Sequence, residues 1–152
     1  TRRRLWALLA IVAALALGAI AAWSFSKTTD RPVVTVYRPA SCGCCERWIA
    51  YMRHNGFRVE ARDAPDLASI NRTLGVPIKL SSCHTAVVGG YLVEGHVPAR
   101  EIRRLLRERP AAAGLSVPGM PVGSPGMEGL YPQRYAVLLF KRGGKYTVYA
   151  RY

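Results

Sequence analysis

Residues 33–45 read VVTVYRPASCGCC and contain three of the four cysteines of the chain. The run begins with β-branched residues and Tyr37, which favour a β-strand, and Arg38-Pro39 ends that strand. From Cys45 onward the apolar residues recur at the spacing of one helix face. They are Cys45, Trp48, Ile49 and Met52. The stretch therefore predicts a strand, a cysteine loop and a helix, in that order.

The number of thiols in this loop indicates its chemistry. Cys42 and Cys45 have the C-x-x-C spacing of redox domains, and Cys44 is surplus to that pair. Thiolates grouped in one loop select soft metals such as Cu(I) or zinc, or iron–sulfur centres. We therefore predict a soft-metal site. Structural disulfides are the alternative, although three thiols in one short loop suit such cross-links poorly.

The remaining pattern predicts an α/β domain. A second strand is predicted at Phe57–Ala61, and a helix opens at Pro65-Asp66 with Leu67, Ile70 and Leu74 facing inward. Two strands flank Gly89-Gly90, and a third helix follows Pro98 with Ile102, Leu105 and Leu106 on its apolar side. A final hairpin, Tyr135–Phe140 with Tyr146–Tyr149, either extends the sheet or packs beside it. The element order β-α-β-α-β-β-α matches a thioredoxin-like domain.

In a thioredoxin-like arrangement, the loop before the third strand lies close to the N-terminus of the first helix. The fourth cysteine, Cys83, stands in that loop. We therefore expect its sulfur to converge with those of Cys42, Cys44 and Cys45. Such a convergence would bring four soft ligands to one point.

Residues 114–129 are rich in Gly and Pro and contain Met120 and Met127. This composition predicts a long ordered loop or lid. The two methionines belong to no helix face, and a thioether is a suitable ligand for Cu(I). Covering exposed apolar surface is an equally good explanation for them.

The N-terminal residues have the pattern of an export signal. Arg2, Arg3 and Arg4 precede the uncharged run 5–26, and Ala19-Ile20-Ala21 is a small-x-small sequence that would permit cleavage. If the run stays uncut, residues 5–23 are long enough to cross a bilayer. We predict a signal peptide or membrane anchor at residues 1–26, a linker at 27–32 and the metal-binding domain at 33–152. The positive residues keep the domain outside the inner membrane, in the periplasm.

The chain of 152 residues is strongly basic, with a formal net charge of +13, or +10 without Arg2, Arg3 and Arg4. The positive charge is spread along the chain and does not alternate with stacking aromatic residues, so nucleic-acid binding is not predicted. A solvated basic surface, attracted to anionic lipids, is the expected consequence. Membrane contact is predicted only through residues 5–23, and only if this segment stays uncut.

Several separated motifs occur together in order: Cys42-Gly43-Cys44-Cys45, Ser82-Cys83-His84-Thr85, Gly90-Tyr91, Glu94-Gly95-His96-Val97-Pro98 and Met120 to Glu128. In these motifs the chain resembles the CopG-type periplasmic copper-resistance proteins. The resemblance implies a thioredoxin-like domain that binds copper. It implies thiolate ligands at Cys42, Cys44, Cys45 and Cys83, with His84, His96, Met120 and Met127 completing or shielding the site. Read without the resemblance, His84 fits a hydrogen bond to the backbone and His96 fits a turn equally well.

These observations predict a copper-resistance protein that sequesters or relays Cu(I), as one ion or several, with redox cycling as a further expectation. Zinc is the second choice of metal, because it does not normally take a thioether ligand. The alternative is a thiol–disulfide oxidoreductase in which Cys42 attacks and Cys45 resolves. No catalytic acid or base is predicted. Expected partners are copper ions and periplasmic or inner-membrane copper-handling proteins, and a basic adaptor that docks on a membrane copper pump is a third possibility.

Overall fold

The computed structural model describes residues 32–152, together with Arg2, Arg3 and Trp6. The chain divides into two compact units, Thr1–Asp30 and Arg31–Tyr152. Apart from Arg2, Arg3 and Trp6, the predicted signal or anchor lies outside the described residues, and so does the linker except for Pro32. Among the described residues, no helix is both long and apolar enough to cross a membrane.

The second unit is a mixed α/β domain with one seven-stranded sheet and three α-helices. The strands are β1 Val33–Arg38, β2 Arg58–Asp63, β3 Thr85–Val88, β4 Tyr91–Glu94, β5 Gly114–Ser116, β6 Ala136–Phe140 and β7 Tyr146–Arg151. The helices are α1 Gly43–His54, α2 Leu67–Leu74 and α3 Ala99–Glu108, and a 3₁₀ turn spans Ile78–Leu80. The predicted element order is therefore present from β1 to α3, whereas the thioredoxin-like assignment stays a prediction.

The sheet has the strand order β2-β1-β3-β4-β5-β6-β7. The β1–β2 and β4–β5 pairs are parallel, and the other four are antiparallel. Strands β1, β2, β4 and β5 consequently finish at the same end of the sheet at which β3 and β6 begin. This end carries the cysteines, and we call it the sulfur end. We call the opposite end of the sheet, at which β1, β2, β4 and β5 begin, the far end.

Helix α1 forms where the sequence predicted, and its apolar stripe is buried. Cys45, Trp48, Ile49 and Met52 are all fully shielded from solvent. Trp48, Ile49 and Met52 pack with alternate residues of β1, β3 and β4 and with Ile102 and Leu105 of α3. Burying each large side chain of this kind stabilises the fold by roughly 1.5–3 kcal/mol, so α1 is anchored firmly beneath the cysteine loop.

Helix α2 turns the predicted face toward the domain, and Asn71, which was not predicted, is the most buried residue of that face. Leu67, Ile70 and Leu74 are only half-buried, and Asn71 is the buried residue of this helix. Asn71 is turned inward because its amide oxygen accepts a hydrogen bond from the Thr85 hydroxyl at the start of β3. The predicted helix limits are nevertheless correct, since Asp66 caps the amide of Ser69 at 2.9 Å.

The predicted loop 114–129 begins with a short strand that the sequence analysis missed. Gly114–Ser116 forms β5 and pairs in parallel with β4. A Cβ atom at Gly114 would lie 1.8 Å from the carbonyl oxygen of Leu92, so only glycine permits this pairing. A strand of only three residues gives no detectable periodicity in a segment that is rich in Gly and Pro. The final hairpin, β6–β7, extends the sheet through β5.

Candidate metal centre

The cysteine loop is held at the carboxyl end of β1. The Cys42 amide donates to the Pro39 carbonyl at 3.0 Å, and the Cys42 carbonyl accepts from Glu46 as α1 begins. Arg38 forms ion pairs with Glu46 of α1 at 2.6 Å and with Asp63 of β2 at 2.5 Å. These contacts connect the last residue of β1 to the first turn of the helix and fix the loop between them.

Two of the four candidate thiolates are joined covalently in this structure. Cys42 and Cys45 form a disulfide, whereas Cys44 and Cys83 are free thiols. The sulfur of Cys44 lies 3.5 Å from that of Cys42 and 4.0 Å from that of Cys83. All four sulfurs lie within 4.8 Å of one another. Four thiolates are therefore present only after the disulfide gains two electrons.

Cys83 occupies the position that the sequence predicted for it, at the sulfur end. Its backbone carbonyl lies 3.5 Å from the sulfur of Cys45, and Cys83 lies two residues before the start of β3 at Thr85. Burial, and after it the neighbouring Cys44, raise the pKa of the Cys83 thiol to about 12. The thiol is protonated at neutral pH, so a metal that binds here must displace this proton.

The two predicted histidines both contact Cys83. The Cys83 sulfur lies 3.1 Å from His96 Nε2 and 3.4 Å from His84 Nδ1. His96 Nδ1 donates to the Pro125 carbonyl at 2.8 Å, because a carbonyl can only accept. The neutral ring of His96 therefore has a free lone pair on Nε2, on the side that faces the sulfur.

His84 is buried more deeply than His96. Its ring lies 4.5 Å from the Trp48 ring and 5.1 Å from the His96 ring, between centroids. Burial lowers the pKa of His84 to about 3, and the pKa of His96 is also lowered, mainly by burial. Within residues 32–152, His84 Nε2 is a buried nitrogen without a hydrogen-bond partner. Both rings are neutral, as a metal ligand requires.

The methionine-containing loop lies against both halves of the sulfur cluster. The Ser82 hydroxyl donates to the Gly119 carbonyl at 2.7 Å, and Arg47 Nε donates to the Gly126 carbonyl at 2.9 Å. These bonds bring Met120 Sδ to 4.0 Å from the sulfur of Cys44, with the side chain of Met120 half exposed. Within residues 32–152, Met127 has no comparable contact with a cysteine sulfur, so the loop places only one of the two thioethers at the cluster.

Glu94 is a part of this site that the sequence analysis did not identify. Its carboxylate accepts from the amide of Ser82 at 3.3 Å, and Ser82 directly precedes Cys83. The side chain is fully buried, and burial raises its pKa to about 8. The sequence shows Glu94 in the Glu94-Gly95-His96 motif. No periodic pattern in the sequence, however, predicts that a carboxyl group is buried next to the Cys83 loop.

The donor set suits a soft metal ion. Sulfur atoms from two separate stretches of chain meet at one point, a thioether stands beside them, and two neutral imidazoles adjoin Cys83. Thiolate, thioether and imidazole together favour copper over magnesium or calcium, which take oxygen ligands. The arrangement can therefore hold a soft cation or exchange electrons through the disulfide.

Comparison with known proteins agrees with this chemistry. A family described as "Protein of unknown function, DUF411" matches residues 80–127, which include Cys83, His84, His96 and the two predicted methionines. The solved structures "Copper resistance protein CopG, Form 2" and "Form 1" are each 46% identical to the chain and cover 81% of it. The matches include 99% and 98% of those chains, with TM-scores of 0.77 and 0.76. The chain belongs to the CopG-type copper-resistance family. A search of curated proteins gave no match.

The family assignment confirms the resemblance on which the sequence analysis relied. The cysteine cluster and the copper-resistance relatives together support a role in metal binding, with copper as the metal. The oxidation state and number of copper ions, and the ligand role of each residue, stay predictions.

Proposed function

We propose that the reduced protein binds Cu(I) through the thiolates of Cys42, Cys44, Cys45 and Cys83 as part of copper resistance. The observation that carries this proposal is the convergence of four sulfur atoms within 4.8 Å in a member of the CopG-type family. Two elements far apart in sequence supply them, so the fold itself creates the site. Copper is the cargo of the protein in this proposal.

The central position of Cys44 supports a site for several ions. Its sulfur has the sulfurs of Cys42, Cys83 and Met120 as neighbours at 3.5–4.0 Å. A thiolate with this many soft neighbours can bridge two ions, because sulfur retains further lone pairs after binding one. His96 Nε2 and the buried nitrogens of His84 would complete the coordination next to Cys83. Zinc fits the four thiolates but not the thioether of Met120.

The disulfide supports a second function, that of an oxidoreductase. In the dithiol form, Cys42 and Cys45 can give one electron each to two Cu(II) ions. The products are two Cu(I) ions, two protons and the Cys42–Cys45 disulfide, which is the form of the pair in this structure. A dithiol reductant would then restore the pair. With Cys44 and Cys83 close by, the same pair would serve thiol–disulfide exchange without copper.

The compartment and fold family belong to the same proposal. We infer a periplasmic location, with residues 1–26 as signal peptide or anchor and residues 33–152 as a thioredoxin-like domain. The parallel β1–β2 pair, with α1 between them and the cysteines at its N-terminus, supports that fold assignment. Periplasmic or inner-membrane copper-handling proteins would deliver or receive the metal.

The decisive experiment is a Cu(I) titration of the fully reduced protein, under anaerobic conditions, against a strong Cu(I) chelator. We expect retention of copper, and a large loss of retention in the Cys44→Ser and Cys83→Ser variants. Met52→Leu is the matched control, since Met52 is a fully buried core thioether that does not belong to the cysteine cluster. Failure of the wild type to hold Cu(I), with fast thiol–disulfide exchange, would instead favour an oxidoreductase.

A further inference from the structure

The far end of the sheet carries an excess of positive charge. Helices α1 and α3 end there, β1 and β2 begin there, and the β6–β7 turn lies there. The exposed cations of these segments are Arg53, Arg58, Arg107, Arg109, Lys141, Arg142 and Lys145. Among residues 32–152, only Arg58 of this group has an ion pair, with Glu60. The sulfur end also has exposed cations, among them Arg47, Arg62 and Arg134, but acidic residues lie with them, and Glu46 and Asp63 both pair with Arg38.

Apolar surface lies between these cations. A groove of about 480 Å³ is lined by Ala112, Leu139, Lys141, Lys145, Tyr146 and Thr147. A second groove of about 380 Å³ shares Ala112 and Lys141 with the first and is also lined by Arg142. Tyr146, which lines the first groove, is 56% exposed. Lysine side chains whose methylene groups cover apolar surface, together with an exposed tyrosine, are typical of protein surfaces that bind at the headgroup layer of a membrane.

The course of the chain also favours a membrane over a soluble acidic protein as the partner. Strand β1 begins at Val33 at the far end, so any preceding segment joins the domain at this end. Only nine residues, 24–32, separate Val33 from the apolar run 5–23. Nine extended residues reach roughly 30 Å at most. An apolar run inserted in a bilayer would therefore keep this basic end near the lipid surface.

We propose that the far end of the sheet docks on the headgroups of anionic phospholipids, with the cysteine cluster directed away from the membrane. The attraction is electrostatic and is reinforced by Tyr146 at the headgroup layer. The consequence is an oriented domain in which the copper site faces an aqueous partner. This inference is independent of the metal and of the redox state of the cysteines.

The test uses the unit 31–152 and vesicles of phosphatidylcholine with or without phosphatidylglycerol. This unit contains the whole sheet and core, and the solved relatives match 81% of the 152 residues, or about 123, as nearly complete chains. We expect binding only to the anionic vesicles, weakening as salt is added. Lys141→Glu/Lys145→Glu should lower the partition coefficient about tenfold or more.

The control variant, Arg62→Glu/Arg134→Glu, changes the net charge by the same amount at exposed residues of the sulfur end, because Arg62 lies at the end of β2 and Arg134 lies just before β6. It should lower binding less than about threefold, because its charges face away from the lipid. An equal loss in both variants would show that net charge alone acts and would overturn the proposal. Equal binding to neutral vesicles, or binding to acidic proteins without any binding to vesicles, would also overturn it.

Fluorescence tests the orientation separately. The unit 31–152 has Trp48 as its one tryptophan, and Trp48 is fully buried. A tryptophan introduced by Tyr146→Trp should shift its emission to the blue when anionic vesicles are added. One introduced by Tyr131→Trp, at a residue 85% exposed in the loop of the sulfur end, should not. A shift at position 131 but not at 146 would reverse the orientation and refute the docking surface.

Discussion

Replacing Gly126 by alanine should loosen the methionine-containing loop from helix α1. Gly126 has a φ of +84°, and a Cβ atom there would lie 2.7 Å from the Trp48 amide nitrogen and 3.0 Å from the Cys44 carbonyl oxygen. Both neighbouring atoms belong to the backbone of α1, so neither can rotate away. The loop must therefore move outward, and the bond from Arg47 to the Gly126 carbonyl at 2.9 Å must lengthen or break.

The size of the effect follows from two contributions. An alanine held at positive φ costs about 1 kcal/mol, and overpacking against fixed atoms typically costs about 1–3 kcal/mol more. We therefore expect Gly126→Ala to lower the free energy of unfolding by roughly 2–4 kcal/mol. Gly56→Ala is the matched control, because Gly56 has a φ of +81° and a Cβ atom there would have no neighbour within 4 Å. The control should lose only the first contribution.

The assay is urea unfolding followed by circular dichroism, together with the rate at which a chelator removes Cu(I). Gly126→Ala should release copper faster than wild type, because Met120 moves away with the loop, and Gly56→Ala should release it at the wild-type rate. If both variants lose the same stability and retain copper equally, the close packing of Gly126 on α1 has no energetic importance and the reasoning is wrong.

Three further predictions follow from the site. Protein unfolded without reductant should show two reactive thiols, from Cys44 and Cys83, and four after reduction; four in both samples would contradict the disulfide. Met120→Leu should speed the loss of Cu(I) to a chelator about fivefold, and Met127→Leu less than twofold, because only Met120 reaches the cluster; equal effects would disprove this distinction. The pKa of Glu94 is raised by burial from 4.5 to about 8, so its contribution to stability is complete below pH 4.5 and is lost as the pH rises toward 8. The free energy of unfolding should fall by roughly 4 kcal/mol over that interval, and Glu94→Gln should remove this slope; an unchanged slope would assign it to other groups.

The sequence was sufficient for those parts of the structure that depend on periodicity. The stripe from Cys45 to Met52 and the glycine pair between β3 and β4 predicted their elements, because burial and turn geometry act over a few residues. The approach of Cys83 to the cysteine loop followed from element order alone. Asn71 and β5 were missed, because a hydrogen bond to Thr85 and the pairing with β4 are contacts between distant segments.

The details of the site were less accessible to sequence analysis. A C-x-x-C spacing is compatible with a disulfide and with two metal ligands. Which of the two forms is present depends on the redox state of the cysteine pair, which the order of residues does not determine. Met120 and Met127 both follow a glycine, so the sequence does not distinguish them. In the structure the Ser82 hydroxyl bonds to the Gly119 carbonyl, next to Met120, and Met120 is the methionine that reaches Cys44. The burial of Glu94 depends on the segments packed around it and not on its neighbours in the chain.

The full burial of Cys45 determines how electrons enter the disulfide. Cys45 is completely shielded from solvent, whereas Cys42 is partly exposed. An incoming thiolate can reach only the sulfur of Cys42, so the mixed disulfide with a donor protein must form there and Cys45 must depart as the leaving thiolate. The fold thus gives a chemically symmetrical bond one accessible side, and a reducing partner has a single point of attack.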